Sequence, residues 1–190
     1  MKSKILIVFV LLCSVTLLSC EKETKQSLDA GSESSEEALI ARGKYLTTIG
    51  SCNDCHSPKV MTPHGPEPDT TRLLSGHPQD EPLAPPVKTK DWILFNNELT
   101  AYIGPWGISY SANLTPDATG IGNWKFEQFV TAIRDGKSKG IESNRNLLPP
   151  MPWQMIRSMT DEDLKAVFTY LKSIPPINNL VPAPVPPDKL

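Results

Sequence analysis

The run Cys52-Asn53-Asp54-Cys55-His56 is a CxxCH motif. Two thiols at this spacing, followed at once by an imidazole, match the site where a haem is attached covalently and its iron is bound by the histidine. Cysteines three apart on a helical turn share a face, so both sulfurs can reach one porphyrin edge. A bare CxxC also occurs in thioredoxin-like redox centres and in zinc half-sites. The added histidine and the export signal described next favour haem c, one group, on Cys52, Cys55 and His56. An electron carrier is the function class that follows.

The compartment is read from the N-terminus. Lys2 and Lys4 precede an apolar run from Ile5 to Leu18, which closes on Leu17-Leu18-Ser19-Cys20. The run is shorter than the roughly twenty residues needed to span a bilayer as a helix, so residues 1–19 are expected to be a cleaved signal peptide. The ending is similar to the lipobox of bacterial lipoproteins, with Cys20 as the lipidated first residue of the mature chain. A diacylated and N-acylated cysteine carries more than one chain, enough for stable anchoring. The expected location is the cell membrane or outer membrane, facing the periplasm. The four cysteines are then all assigned: Cys13 leaves with the signal, Cys20 takes lipid, and Cys52 and Cys55 take haem.

Loss of residues 1–19 leaves 171 of 190 residues, the length of one domain with generous loops. The chain has 19 basic and 21 acidic residues, and losing Lys2 and Lys4 leaves 17 basic, so the mature form is mildly acidic and nucleic acid is not the expected partner. Redox proteins are, since electron carriers dock through complementary patches. Residues 20–35 are Ser, Glu, Lys and Gly with little that is apolar, which reads as a flexible tether spanning roughly 20 Å on average.

The expected domain covers residues 36–178, followed by a Pro-rich tail over 179–190 that reads as surface polyproline or disorder. Three helices are legible. The first runs from Glu36 to about Ile49 behind Ser34 or Ser35, with Leu39, Gly43 and Leu46 on one face. The second follows Asn123 as cap, with Phe126, Phe129, Val130 and Ile133 at helical spacing and Gly136 near its stop. The last is capped by Thr160 with Asp163 three residues on, carries Leu164, Val167, Phe168 and Leu171 as its stripe, and ends at Pro175. The Pro/Gly-rich stretch between the CxxCH turn and the second helix shows too few periodic apolar positions for either helix or strand. So long a loop suits a chain that packs on a cofactor.

The iron's sixth ligand is sought among Met61, Met151, Met155, Met159, His64 and His77. The choice falls on Met151, in Leu147-Leu148-Pro149-Pro150-Met151-Pro152-Trp153, where flanking prolines restrict the backbone. Met159 already serves as the staple of the last helix, Met61 is close in sequence to His56, and Met155 lacks the proline brackets. His64 and His77 sit in Pro/Gly loops where exposure is expected. Methionine would raise the reduction potential relative to a second histidine and leave no open position for substrate. Trp124 could lie against the porphyrin, though an aromatic at helical spacing is more often core.

These residues carry a family resemblance. Ala41 to Leu46 before the motif, Leu74-Ser75-Gly76-His77-Pro78, Asn113-Leu114-Thr115-Pro116-Asp117, Thr119 to Gly122 with Trp124, Met151-Pro152-Trp153, and Met159 to Leu171 resemble segments of bacterial class I cytochrome c domains. Such domains occur singly and in the multihaem cytochrome subunits of membrane-bound alcohol, aldehyde and gluconate dehydrogenases. The resemblance implies an all-α cytochrome c fold with long Pro/Gly-rich loops around one covalent haem, with His56 and Met151 as axial ligands, a haem pocket to which Asn113, Trp124 and Trp153 contribute, and first and last helices that cross where Gly43 meets an aromatic such as Tyr170. Those subunits carry several CxxCH sites and this chain has one, so donor and acceptor stay unassigned. Two other readings remain open: a haem enzyme such as a peroxidase, with an open sixth position and His64 as distal acid or base, and a haem-free thiol oxidoreductase or binding lipoprotein.

Overall fold

The structure is a computed structural model that describes residues 35–87 and 89–190. The predicted signal peptide, Cys20 and the tether up to residue 34 lie outside the described residues. Among these, five α-helices are joined by two antiparallel sheets. The all-α expectation is therefore corrected to a mixed α/β architecture. The strands all fall in the Pro/Gly-rich stretch that showed no periodicity, and each is only two to four residues long. A strand that short contributes one or two alternations, too few to stand out in a sequence.

Helix α1 spans Glu36–Ile49. Ser35 caps it, its hydroxyl accepting from the Ala38 amide at 3.3 Å, and Glu36 and Glu37 place negative charge in the first turn, where it complements the helix dipole. Helix α5 spans Asp161–Ser173, with the Thr160 hydroxyl accepting from the Asp163 amide at 3.1 Å. The Asp163 carboxylate does not return to the cap. It receives both Nε and Nη2 of Arg42 on α1, at 2.9 and 3.1 Å. At the crossing, a Cβ on Gly43 would lie 2.0 Å from the carbonyl oxygen of Ala166 and 2.7 Å from Cβ of Tyr170. Only hydrogen in place of a side chain lets the two helices approach this closely.

Helix α3, Phe126–Arg134, starts two residues later than its sequence suggested, with Lys125 as N-cap. Asn123 and Trp124 instead belong to the preceding turn, where the Trp124 amide donates to the carbonyl of Ile121 at 3.0 Å. Phe129 and Ile133 from α3 join Leu46, Leu74, Ile121, Leu164, Val167, Phe168 and Leu171 in one buried core.

The strands form a hairpin, β1 Lys59–Thr62 with β2 Gly65–Pro68, and a three-stranded sheet of β3 Leu94–Phe95, β4 Ala101–Gly104 and β5 Gly107–Tyr110. In the second sheet Phe95 pairs with Tyr102, and Tyr102 with Ser109. Gly107, at φ +96, closes the tight β4–β5 turn. The Pro-rich tail is tied to this sheet: Ile108 and Val185 exchange backbone hydrogen bonds at 2.8 and 3.0 Å. No helix among the described residues is long and apolar enough to cross a membrane.

Candidate functional site

The CxxCH motif forms a short helix of its own, α2, Cys52–His56. Helix α1 stops at Gly50, whose amide donates to the Leu46 carbonyl at 2.8 Å, and Ser51 turns the chain with φ 55°, in the left-handed region. The motif therefore starts in a new direction with its cysteines on one short helical turn. Both cysteines are free thiols and both are half-buried. Cys52 packs at the edge of the core, and burial pushes its thiol up to about 11, so it stays protonated. Cys55 lies beside the Tyr102 hydroxyl, which burial and this thiol both hold in its neutral form. That hydroxyl donates to the carbonyl of Leu99.

His56 is buried, and its Nδ1 lies 2.8 Å from the carbonyl oxygen of Ala112. A carbonyl only accepts, so Nδ1 carries the proton. Burial lowers the imidazole pKa, with the Ala112 bond opposing and nearby Lys59 adding to the fall. The ring is consequently neutral, with its unshared pair on Nε2, the tautomer a metal requires. The His56 backbone is held too, its carbonyl accepting from the Gly76 amide at 2.8 Å. Segments 74–77 and 111–114 run side by side here, with the Leu114 amide donating to Leu74 and the His77 amide to Ser111. Gly76, at φ +79, has room for no Cβ, which would sit 2.6 Å from the Ala112 backbone.

Below the motif, Ser57 Oγ donates to Asn53 Oδ1 at 2.9 Å and accepts from the Leu74 amide at 2.8 Å. Lys59 Nζ reaches back to the carbonyls of Asn53, Asp54 and Ser57 at 3.2, 2.7 and 2.6 Å, and to Glu98 at 3.4 Å. These supporting contacts join residues far apart in sequence, and no local pattern announces Ala112, Lys59 or Tyr102.

Met151 is half-buried against the same core that Cys52 and Trp124 border. It follows the cis peptide Pro149–Pro150 and precedes Pro152, which caps helix α4, Trp153–Ile156. Two bonds anchor the segment: the Leu147 amide to Gly136 at 2.6 Å, and Ser109 Oγ to the Pro149 carbonyl at 2.6 Å. Trp153 is half-buried on Gly136, where a Cβ would lie 2.3 Å from its indole. The structure thus gathers Cys52, Trp124 and Met151 around one apolar body, with His56 one turn from Cys52.

Asn113 is buried, but its side chain is spent elsewhere. Its Oδ1 accepts from the Thr115 amide and hydroxyl at 2.9 and 2.8 Å, and its Nδ2 donates to Thr119 and to the Ile177 and Asn179 carbonyls. It pins the turn after Ala112 to the C-terminal segment. Of the other ligand candidates, Met61 and Met155 are exposed, Met159 is half-buried at the core edge, and His64 is exposed on the β1–β2 turn. His77, expected to be exposed, is only 1% accessible. Its Nδ1 meets Thr100 Oγ1 at 2.9 Å and its ring packs on Tyr110, so it is a hydrogen-bonded core histidine.

The residues present fit a covalent haem: two free thiols on one short turn, and a neutral buried imidazole whose Nδ1 is already committed. No family model matches the chain. It is 32% identical over 139 residues to the gluconate 2-dehydrogenase cytochrome c subunit of Pantoea cypripedii, which covers 73% of this chain and 24% of that protein. It is 29% identical over 160 residues to the fructose dehydrogenase cytochrome subunit of Gluconobacter japonicus, 83% of this chain and 26% of that one. It is 28% identical over 142 residues to the alcohol dehydrogenase (quinone) cytochrome c subunit of Gluconobacter oxydans (strain 621H), 74% of this chain and 22% of that one. The chain spans about a quarter of the length of these relatives. Over most of its length it is a cytochrome c domain that resembles those of gluconate, alcohol and fructose dehydrogenase cytochrome subunits.

Proposed function

We propose that this chain is a membrane-anchored monohaem c-type cytochrome that passes single electrons between redox partners, a dehydrogenase or oxidase among them. Cys52 and Cys55 would hold the haem through thioethers, and His56 and Met151 would bind its iron. Each thioether would form by addition of S–H across a vinyl double bond, sulfur to one carbon and hydrogen to the other, which would need no oxidant. When bound, the group supplies an iron that gains or loses one electron.

The observation that carries this reading is the 2.8 Å contact of His56 Nδ1 with the Ala112 carbonyl. It fixes the tautomer, orients the ring, and makes Nε2 the better donor, as partners of metal-bound histidines do. Supporting it, Met151 is half-buried and bracketed by Pro150 and Pro152, which leaves the backbone little freedom to lose on ligation. The imidazole is buried, and both thiols are half-buried beside it. Lipid on Cys20, a tether over residues 20–35, and a periplasm-facing location complete the reading.

Haem staining of a denaturing gel tests it. A stained band for the full-length protein, lost in Cys52→Ala with Cys55→Ala, is expected. Purified protein that is colourless, or whose pigment leaves in acidified organic solvent, overturns it.

A further inference from the structure

Lys59 does not behave as a surface lysine. Its ammonium lies within 3.4 Å of four backbone carbonyls, of Asn53, Asp54, Ser57 and Glu98. Three of these belong to, or directly follow, the helix that carries Cys52, Cys55 and His56. The last carbonyls of a short helix lack intrahelical partners and collect partial negative charge, which a cation satisfies. An ammonium has three protons to give, and here all are directed at backbone. No carboxylate forms a salt bridge with it among the described residues, so its charge is not cancelled by an ion pair. The strand β1 and the loop before β4 hold it in place, and its 2.6 Å bond to the carbonyl of Ser57, the residue after His56, sets its charge beside that histidine.

We propose that Lys59 is a positioning residue that also biases the redox equilibrium of this site: its fixed positive charge beside His56 favours the state holding one more electron. The inference rests on the proposed reading that His56 binds haem iron. The electron comes from the redox partner, and no proton has to move with it. A lysine on the surface would be screened by water and salt. This one is partly buried and tethered by backbone dipoles, where a unit charge acts at a lower effective dielectric. Glu98 bears on the same cluster with the opposite sign: its carbonyl touches Lys59, and its carboxylate Oε2 is buried without a hydrogen-bond partner.

Redox titration of the full-length haem-loaded protein, followed by its absorption, provides the test, with haem staining of every variant alongside. At a fixed ambient potential, Lys59→Met is expected to raise the ratio of oxidised to reduced protein by about tenfold, a midpoint about 59 mV lower for one electron. Lys59→Arg, which keeps the charge, should leave the ratio within about twofold of the parent. Glu98→Gln should move it the other way. A purely structural staple would lower the melting temperature of Lys59→Met without moving the ratio, and that result overturns the proposal. If Lys59→Met takes up no haem, Glu98→Gln decides, and an unmoved ratio there overturns the proposal. Absence of covalent haem from the parent protein would instead overturn the proposed function.

Discussion

The Nδ1 nitrogen of His56 sits 2.8 Å from the carbonyl oxygen of Ala112, a residue 56 positions further along the chain. This one bond joins the CxxCH turn to the segment that leaves β5. The segment is held in turn by Asn113, whose amide bonds to Ile177 and Asn179 draw in the C-terminal end. Orientation of the imidazole therefore depends on three distant parts of the chain being assembled together. The site is completed by folding, although its reactive residues lie within five positions of one another.

Met151→Ala is expected to lower the midpoint potential and to open the iron to carbon monoxide or cyanide. Removing a thioether ligand takes away the donor that raises the potential and leaves a vacant position. Met61→Ala, at a residue 79% exposed, and Met159→Ala should leave the spectrum unchanged. Optical titration with cyanide compares the three. An unchanged spectrum in Met151→Ala would move the ligand to another residue.

Gly43→Ala should destabilise the domain although alanine is the better helix former. The gain in propensity is about 1 kcal/mol. Against it, the new methyl would meet the Ala166 carbonyl at 2.0 Å, a backbone atom that cannot rotate away, so α1 and α5 must separate. Overpacking of this kind costs about 1–3 kcal/mol, and a net loss of up to about 2 kcal/mol is expected, a fall of up to several degrees in melting temperature. Lys44→Ala, exposed on the next position, should stay within about 0.5 kcal/mol.

The elements legible in the sequence are those whose signals are local. Thr160 is read as a cap, and the cap of α1 is narrowed to Ser34 or Ser35, because an N-cap bond spans three residues; Ser35 is the one that makes it, and the stripe Leu164, Val167, Phe168, Leu171 is read because it repeats at helical spacing. The CxxCH turn is legible for the same reason. What the sequence did not disclose depends on partners far away. Ile108 pairs with Val185, and Phe95 with Tyr102, through backbone atoms that any residue carries. His77 looked exposed because it lies among Pro and Gly, yet the loop folds inward when its amide bonds to Ser111 and its ring meets Tyr110. The spacing of Asp163 from Thr160 matches a capping box, but Arg42 on α1 claims its carboxylate once the helices cross. Lys59 and Ala112, the two supports of His56, have no signature at all.

His77 gives the stability a pH dependence with a definite sign. Burial lowers its pKa in the folded state below the ordinary 6.5, with Glu98 partly opposing. The unfolded chain then binds more protons than the native one, so stability rises with pH through this range. The contribution is fully present above about pH 6.5 and is lost as pH falls below it toward the depressed native value. His77→Gln, which cannot be protonated, should be less stable than the parent at pH 7.5 but should lose less stability between pH 6.5 and 5. Denaturant unfolding at each pH measures both slopes, and parallel slopes would mean that the buried ring does not couple to proton binding.

Cys20→Ser should move the protein from the membrane fraction to the soluble one. A single acyl chain holds a protein only marginally, whereas two or more chains anchor it stably. Lipid on Cys20 would therefore account for retention by itself. Nothing else among the described residues competes with it, since no helix there is long and apolar enough to cross a bilayer. Fractionation followed by haem staining reads the outcome, because a thioether-linked haem survives denaturation and marks the protein wherever it sediments. Retention of the variant in the membrane after a high-salt wash would exclude electrostatic adsorption. It would also assign the anchoring to the apolar run from Ile5 to Leu18 remaining uncleaved.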